Sequence, residues 1–496
     1  MKDQVIVVGA GIAGLAAAVR LAAAGKQVQV FERAPGPGGK LSDFKLGDYR
    51  FDLGPSLFTM PQYVDELFRV AGEDPRAHFN YQQLETVCHY WWSDGTQLAA
   101  AAEVDQLAKN CAEAFEVPAE RITTFMQRAE QKYELAGRTF LEKSLHQLDT
   151  WLQPSVAKAM LRIPGLDLFR SMHRVHEREL GHPKLVQLFD RFATYNGSNP
   201  YKAPGLLSMI PHFEHHFGAY LPKGGMVEIS QSLHRLGQRL GVQYHFDTEV
   251  AEIERNKQEV TGVRLANRDR HKAEQVVCNM DVFFAYDRLL PGAKQPKRTL
   301  RQQKSTSAIV FYWGVQRSFP ELGLHNIIFS DDYQTEFAEM EAGRMSDDPT
   351  IYINITSKLE AADAPTGCEN WFVMVNAPAD AGQDWEQLKQ LTRQRLLAKL
   401  KPLGLAPRPE EIVEERILGP AELERITGSH QGALYGTSSN NKFAAFLRHP
   451  NFSRRIKGLY FLGGSVHPGG GIPLCLLSAK ITGEIMTGKD NVHVPQ

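Results

Sequence analysis

Three glycines and one acid near the start of the chain have the types and spacing to bind a dinucleotide. Gly9 permits a tight turn, Gly11 lets the backbone approach a pyrophosphate, and Gly14 lets the following helix pack closely. Glu32 follows at the end of the next apolar run, where a ribose hydroxyl needs an acceptor. A second glycine-rich turn, Gly469-Gly470-Gly471-Ile472-Pro473, opens an apolar stretch near the other end of the chain. Pro473 suits a first helical turn, where its missing N–H costs nothing. A helix N-terminus offers unpaired N–H groups, so each turn can face negative charge.

The elements that must position these residues are legible around them. Val5-Ile6-Val7-Val8 predicts a buried strand, Leu15 to Ala24 an alanine-rich helix stopped by Gly25, and Gln27 to Phe31 a second strand. Strand, glycines, helix, strand and terminal acid in that order make a dinucleotide site. Its missing pieces lie further on. Pro222-Lys223-Gly224-Gly225-Met226 leads into a helix to Leu240, followed by a strand-like run Val242 to Phe246. Thr248 to Ile253 and Val260 to Leu265 alternate as a hairpin, and Gln275 to Asp281 reads as a further strand. Gly458 to Leu462 predicts a last buried strand before the C-terminal turn.

At 496 residues the chain has room for two or three domains. A formal net charge of −1 gives no basic field for a phosphate backbone, so nucleic acid is not expected as a partner. Cys88, Cys111, Cys278, Cys368 and Cys475 are scattered singly, which argues against a cysteine metal site and a disulfide framework. His212, His215 and His216 form the tightest histidine set; His212 and His216 share a helix face, but without an H-E-x-x-H acid they read as polar surface, and no metal is expected. No run approaches the ~20 apolar residues of a membrane span. Met1 leads directly toward the first strand, so a cytoplasmic location is expected.

Gly38-Gly39-Lys40 and Phe51-Asp52-Leu53-Gly54-Pro55 resemble the extended FAD signature of amine-oxidase-like flavoproteins. With Leu221 to Met226 and Gly464-Ser465-Val466-His467-Pro468-Gly469-Gly470-Gly471-Ile472-Pro473, the chain resembles bacterial carotenoid desaturases of the phytoene desaturase family over essentially its whole length. The resemblance implies an α/β (α+β overall) protein with a discontinuous Rossmann-like FAD-binding domain, formed by residues 1–85, 222–284 and 456–496. A helical insertion, 86–221, and a mixed α/β substrate domain, 285–455, complete it. FAD is the implied cofactor, held by Gly9, Ala10, Gly11, Ala13, Gly14, Glu32, Arg33, Gly39, Lys40, Gly54, Pro55 and Ser56 at the N-terminal end. Val250 lies near the adenine and Asn279 and Asp281 at the cofactor-facing edge, while Gly464, Ser465, Gly471, Ile472 and Pro473 face the flavin.

The implied reaction removes a hydride and a proton from adjacent carbons of a long polyene, with flavin N5 as hydride acceptor. His467 is the best polar candidate for a base, ahead of His146, Lys143 and Tyr195, though positioning the turn suits it better. The segment Phe192 to Gly205 looks like that of 3,4-desaturases acting on hydroxylated carotenoids, with Tyr195 and Asn196 as candidates for a terminal hydroxyl. The same Asn-Gly-Ser-Asn-Pro also suits a plain turn. Phytoene desaturation, another amine-oxidase-like chemistry, or prenyl binding of the dissociation-inhibitor type are the alternatives. The lipophilic substrate implies peripheral attachment to the cytoplasmic membrane. Trp151, Leu152, Val156, Met160, Leu161, Ile163, Leu166, Leu168, Phe169 and Met172, with Lys158, Arg162, Arg170 and Arg174 nearby, suit an interfacial helix and equally suit packing within the domain. The electron acceptor, oxygen or a quinone, is left open.

Overall fold

The computed structural model describes residues 4–137, 141–152, 166–441 and 448–488. Three separated stretches of chain build one parallel sheet. The first supplies β1 (Gln4–Val8), α1 (Ile12–Ala23) and β2 (Gln27–Phe31); the middle supplies α2 (Val227–Arg239), β3 (Gln243–His245) and β4 (Gln275–Cys278). The last supplies β5 (Leu459–Phe461) and α3 (Ile472–Thr487). The order is β3-β2-β1-β4-β5, and every neighbouring pair is parallel. A parallel strand is covered on both faces, which is why β1 is almost unbroken β-branched sequence. Val5 and Val7 pack with α1, with Ile229 and Leu233 of α2 and with Leu476 of α3. Ile6 and Val8 face the opposite way, against Val250, Ile253 and Val263 of the antiparallel strands Val250–Asn256 and Glu259–Leu265.

A seven-stranded mixed sheet forms the second layer. Its order is Ile412–Leu418, Ser307–Val315, Glu369–Ala377, Ile351–Ile355, His325–Ile328, Thr86–Trp91 and Gln97–Ala101. The pairing of His325–Ile328 with Thr86–Trp91 is parallel, and its other pairings are antiparallel. Ser307–Val315 is buried at every position, as befits a central strand.

Two expectations change here. Residues 86–101 do not belong to a helical insertion: they form two strands of the sheet whose other strands come from 307–418. Thr86–Trp91 is aromatic and β-branched enough for a strand; it pairs with Gln97–Ala101 across the Asp94-Gly95 turn on one side and with the distant His325–Ile328 on the other. Within the expected helical insertion the helix is also interrupted. Val104–Phe115 ends at Glu116 in a left-handed conformation, and Pro118 caps the next helix, Ala119–Lys132.

The apolar face expected of one interfacial helix divides. Leu166 and Met172 are core residues, whereas Trp151, Leu152 and Phe169 are 40%, 84% and 79% exposed. Val156, Lys158, Met160, Leu161, Arg162 and Ile163 lie outside the described residues. Among the described residues no helix is long and apolar enough to cross a membrane.

Candidate functional site

One cavity of about 890 Å³ is lined by all three stretches of the nucleotide sheet domain and by the second layer. At the nucleotide end, Glu32 stands at the tip of β2 with both oxygens anchored. Oε2 accepts from the Ala10 amide at 2.7 Å and Oε1 from the Ala34 amide at 2.9 Å. A carboxylate has about four lone-pair sites, so acceptor capacity remains for a sugar hydroxyl. Gly14 is required by packing, because a Cβ there would stand 2.1 Å from the Gly9 carbonyl oxygen. Asn279, at the end of β4, turns its amide so that Oδ1 accepts from the Gly11 and Gly14 amides at 3.3 and 3.2 Å. It thereby braces the glycine loop while lining the cavity.

Of the residues expected around the cofactor, Gly9, Gly11, Ala13, Glu32, Arg33, Gly39, Lys40, Gly54, Pro55, Ser56, Val250, Asn279, Asp281, Gly464, Ser465, Gly471, Ile472 and Pro473 line this cavity. Ala10 and Gly14 stand behind it, one holding Glu32 and the other letting α1 approach β1. Arg33 commits a guanidinium nitrogen to the carbonyls of Arg425 and Ile426, at 2.9 and 3.2 Å. Lys40 donates to the Leu434 carbonyl at 2.7 Å, and burial lowers its ammonium below the ordinary lysine value. Asp281 accepts from the Phe283 amide at 2.9 Å, and Ser465 Oγ accepts from the Val282 amide at 3.0 Å, which ties the central and C-terminal stretches together.

The C-terminal turn delivers the chain into α3 through Gly471, whose φ of 100° suits only a residue without a side chain. Arg448 braces the turn, donating to the carbonyls of Tyr435 and Gly464 at 2.9 and 3.3 Å; burial lowers its guanidinium to about 10. His467 is corrected as a catalytic candidate, because its side chain does not line the cavity. Its ring is 2% exposed and Nε2 lies 2.8 Å from the Lys143 carbonyl. Burial holds its pKa down at about 4, so it is neutral and occupied with the loop that it grips. His146 packs edge-on to it, with ring centroids 5.9 Å apart. Of the four candidate bases, Tyr195 lines the cavity.

The rest of the cavity is largely apolar, with Leu207, Ile210, Phe213, Ile327, Phe372 and Met374 among its walls. Into it projects one polar cluster. Arg191 donates to Tyr195 Oη at 3.0 Å and to Glu214 Oε1 at 3.1 Å, and Tyr195 donates to Glu214 Oε2. Beside it, Tyr352 Oη lies 2.6 Å from Ser56 Oγ and 2.8 Å from His325 Nδ1. Asn196 lines the cavity too, with its buried Oδ1 unpartnered among the described residues. The turn reading of this segment also holds, since Gly197 closes the helix Arg191–Asn196 in a left-handed conformation. Arg191, Glu214, His325 and Tyr352 were not singled out from the sequence. They sit on separate elements, and no spacing links them.

The histidine set gains an acid that the sequence pattern lacked. Glu130, from the helix Ala119–Lys132, has a carboxylate oxygen within 4.8 Å of ligand atoms of His212 and His216. His212 is buried and its pKa is lowered to about 4, with its ring stacked 4.4 Å from that of His216.

Comparison with known proteins decides the family. The model of the flavin-containing amine oxidoreductases matches residues 12–484. The chain belongs to this family. A flavin-containing amine oxidoreductase of this kind is an oxidoreductase with a bound flavin, and the glycine loop, Glu32 and the C-terminal turn fit such a group. The chain is 49% identical to a 1-hydroxycarotenoid 3,4-desaturase from Flavobacterium sp., over 97% of this chain and 99% of that protein. It is 33% identical to a 4,4'-diapolycopene oxygenase from Methylomonas sp. over 97% of each chain. It is 30% identical to a zeta-carotene-forming phytoene desaturase from Myxococcus xanthus, over 98% of this chain and 94% of that one. The resemblance to carotenoid desaturases is thus borne out. Among solved structures, putrescine oxidase bound to putrescine superposes with a TM-score of 0.64 at 15% identity, covering 98% of each chain. A Rab GDI from Plasmodium falciparum superposes with a TM-score of 0.54 at 13% identity, covering 99% of each. These two likenesses concern the fold alone.

Proposed function

We propose that this flavoenzyme is an FAD-dependent carotenoid desaturase that introduces the 3,4 double bond into a 1-hydroxycarotenoid. The observation that carries the reading is the cavity itself: a nucleotide cradle that opens into an apolar chamber containing a buried polar cluster at Arg191, Tyr195 and Glu214. A polyene fits the apolar walls, and a terminal hydroxyl buried there must find a partner or lose about 1–3 kcal/mol. The residues that would hold FAD are Glu32 at the adenosine ribose, the glycine loop at the pyrophosphate, and Gly464, Ser465, Gly471, Ile472 and Pro473 with Gly39, Lys40 and Gly54 to Ser56 around the flavin.

When bound, FAD supplies the hydride acceptor. The protein's part is to lay two adjacent carbons against it and to keep water away. One carbon loses a hydride and its neighbour a proton, and the C–H electron pair left behind closes the new double bond. The cation left by hydride loss is spread along the polyene, so its proton leaves without a strong base. Tyr195 and Glu214 are held in place within the Arg191 cluster, which fixes the polar end of the chamber.

The experiment is pigment analysis in a carotenoid-free host supplied separately with a 1-hydroxycarotenoid and with phytoene. A 3,4-desaturated product from the first alone supports the reading; conversion of phytoene instead moves it to the phytoene desaturases. Flavin released from the purified protein should chromatograph as FAD.

A further inference from the structure

We propose that His325 recognises the substrate's terminal hydroxyl, donating a hydrogen bond from Nε2 to its oxygen. The inference rests on the functional reading above and deepens it.

His325 opens the strand His325–Ile328, is 3% exposed, and lines the cavity. One ring nitrogen is fully committed. Nδ1 lies 3.1 Å from Asn354 Nδ2 and 2.8 Å from Tyr352 Oη. The orientation of the Asn354 amide is set independently, because Nδ2 also donates to the Leu324 carbonyl at 3.0 Å. An amide nitrogen only donates, so Nδ1 must be the acceptor. Tyr352 Oη, beside the same nitrogen, also lies 2.6 Å from Ser56 Oγ, which extends the chain. The ring is neutral, since burial together with the nearby Arg191 guanidinium lowers its pKa to about 3. A neutral imidazole whose Nδ1 accepts carries its one proton on Nε2.

Nε2 is buried and has no partner among the described residues. The surroundings have thus fixed a donor and left it unspent on a residue that lines the cavity. None of the neighbouring polar groups, Arg191, Tyr195 and Glu214 included, is hydrogen-bonded to it. The same tautomer excludes a base at this atom, because Nε2 cannot take a proton that it already holds. What it suits is a neutral acceptor oxygen on an apolar chain, which describes an alcohol at the end of a polyene. A ketone or an ether oxygen would engage it equally, whereas a pure hydrocarbon would leave it unpaired.

The test compares wild type, H325F and H325Q as flavin-loaded enzymes on a 1-hydroxylated polyene and on the same polyene lacking the hydroxyl. The expected result is that H325F lowers kcat/KM about 10- to 100-fold more for the hydroxylated polyene than for the other. H325Q, which keeps an N–H, should recover most of that difference. The shift in Tm on adding each polyene gives a readout without turnover: the extra stabilisation by the hydroxylated compound should vanish in H325F. Equal losses on both polyenes, or none, overturn the assignment. A wild-type enzyme that ignores the hydroxylated polyene overturns the functional reading itself, and that result is seen before any His325 variant is made.

Discussion

At the residue scale, His467 shows how a histidine beside a glycine turn can be structural. Its imidazole meets the Lys143 carbonyl, and its own carbonyl accepts from Asn451 Nδ2 at 2.9 Å, so it staples a loop to the turn before α3. His467→Gln should therefore keep the desaturation rate within about threefold while loosening flavin retention, which fluorescence of released flavin would measure. A loss of 10²-fold or more in rate at full flavin occupancy would restore His467 as a base. The same buried ring links stability to pH. His212, His449 and His467 are each held down at about 4 by burial, whereas in the unfolded chain they titrate near the ordinary value of about 6.5. Between those values the unfolded state binds protons that the folded state refuses. Stability is therefore fully present above pH 6.5 and is lost as the pH falls toward 4, by up to about 1.4 kcal/mol per pH unit for each histidine. Thermal unfolding at pH 7, 6 and 5 should show this slope, and His467→Gln should flatten it.

At the element scale, the glycine loop is a contact between two backbones, and it tolerates no side chain. A Cβ on Gly14 would meet the Gly9 carbonyl oxygen at 2.1 Å, and the Asn279 side-chain amide at 2.9 Å closes the other side. Gly14→Val should push α1 away from β1 and yield a protein without bound flavin; a yellow variant with the wild-type absorbance spectrum would contradict the packing account. This loop was readable in the sequence because its determinants are local: a β-branched run, three glycines and an acid within one βαβ unit. The C-terminal turn was readable for the same reason. The two strands of 86–101 form a local hairpin around Asp94-Gly95 that the helical expectation passed over; their place in the second layer was not legible, since Thr86–Trp91 finds its other partner in His325–Ile328 and no local pattern announces that pairing. The substrate end was hidden for a further reason. Tyr195 stood out in a turn segment, but Arg191, Glu214, His325 and Tyr352 acquire meaning only when separate elements bring their polar atoms together in an apolar cavity.

At the scale of the whole molecule, a lipophilic substrate has to be delivered to a buried cavity. Trp151, Leu152 and Phe169 are exposed apolar side chains near one another in sequence, with Arg170 and Arg174 adjoining. Exposed apolar groups next to basic ones are what a peripheral membrane contact uses: the apolar side chains enter the interface, and the basic ones face anionic headgroups. The wild-type protein should therefore float with liposomes containing anionic lipid and should be released by high salt only in part. The triple variant W151S/L152S/F169S should stay at the bottom of the gradient. In detergent, with substrate supplied in micelles, it should desaturate at the wild-type rate, because none of the three residues lines the cavity. Loss of activity in liposomes with activity kept in micelles would place the defect in delivery of the polyene. Flotation unchanged by the triple variant would instead mean that these side chains are not the membrane contact.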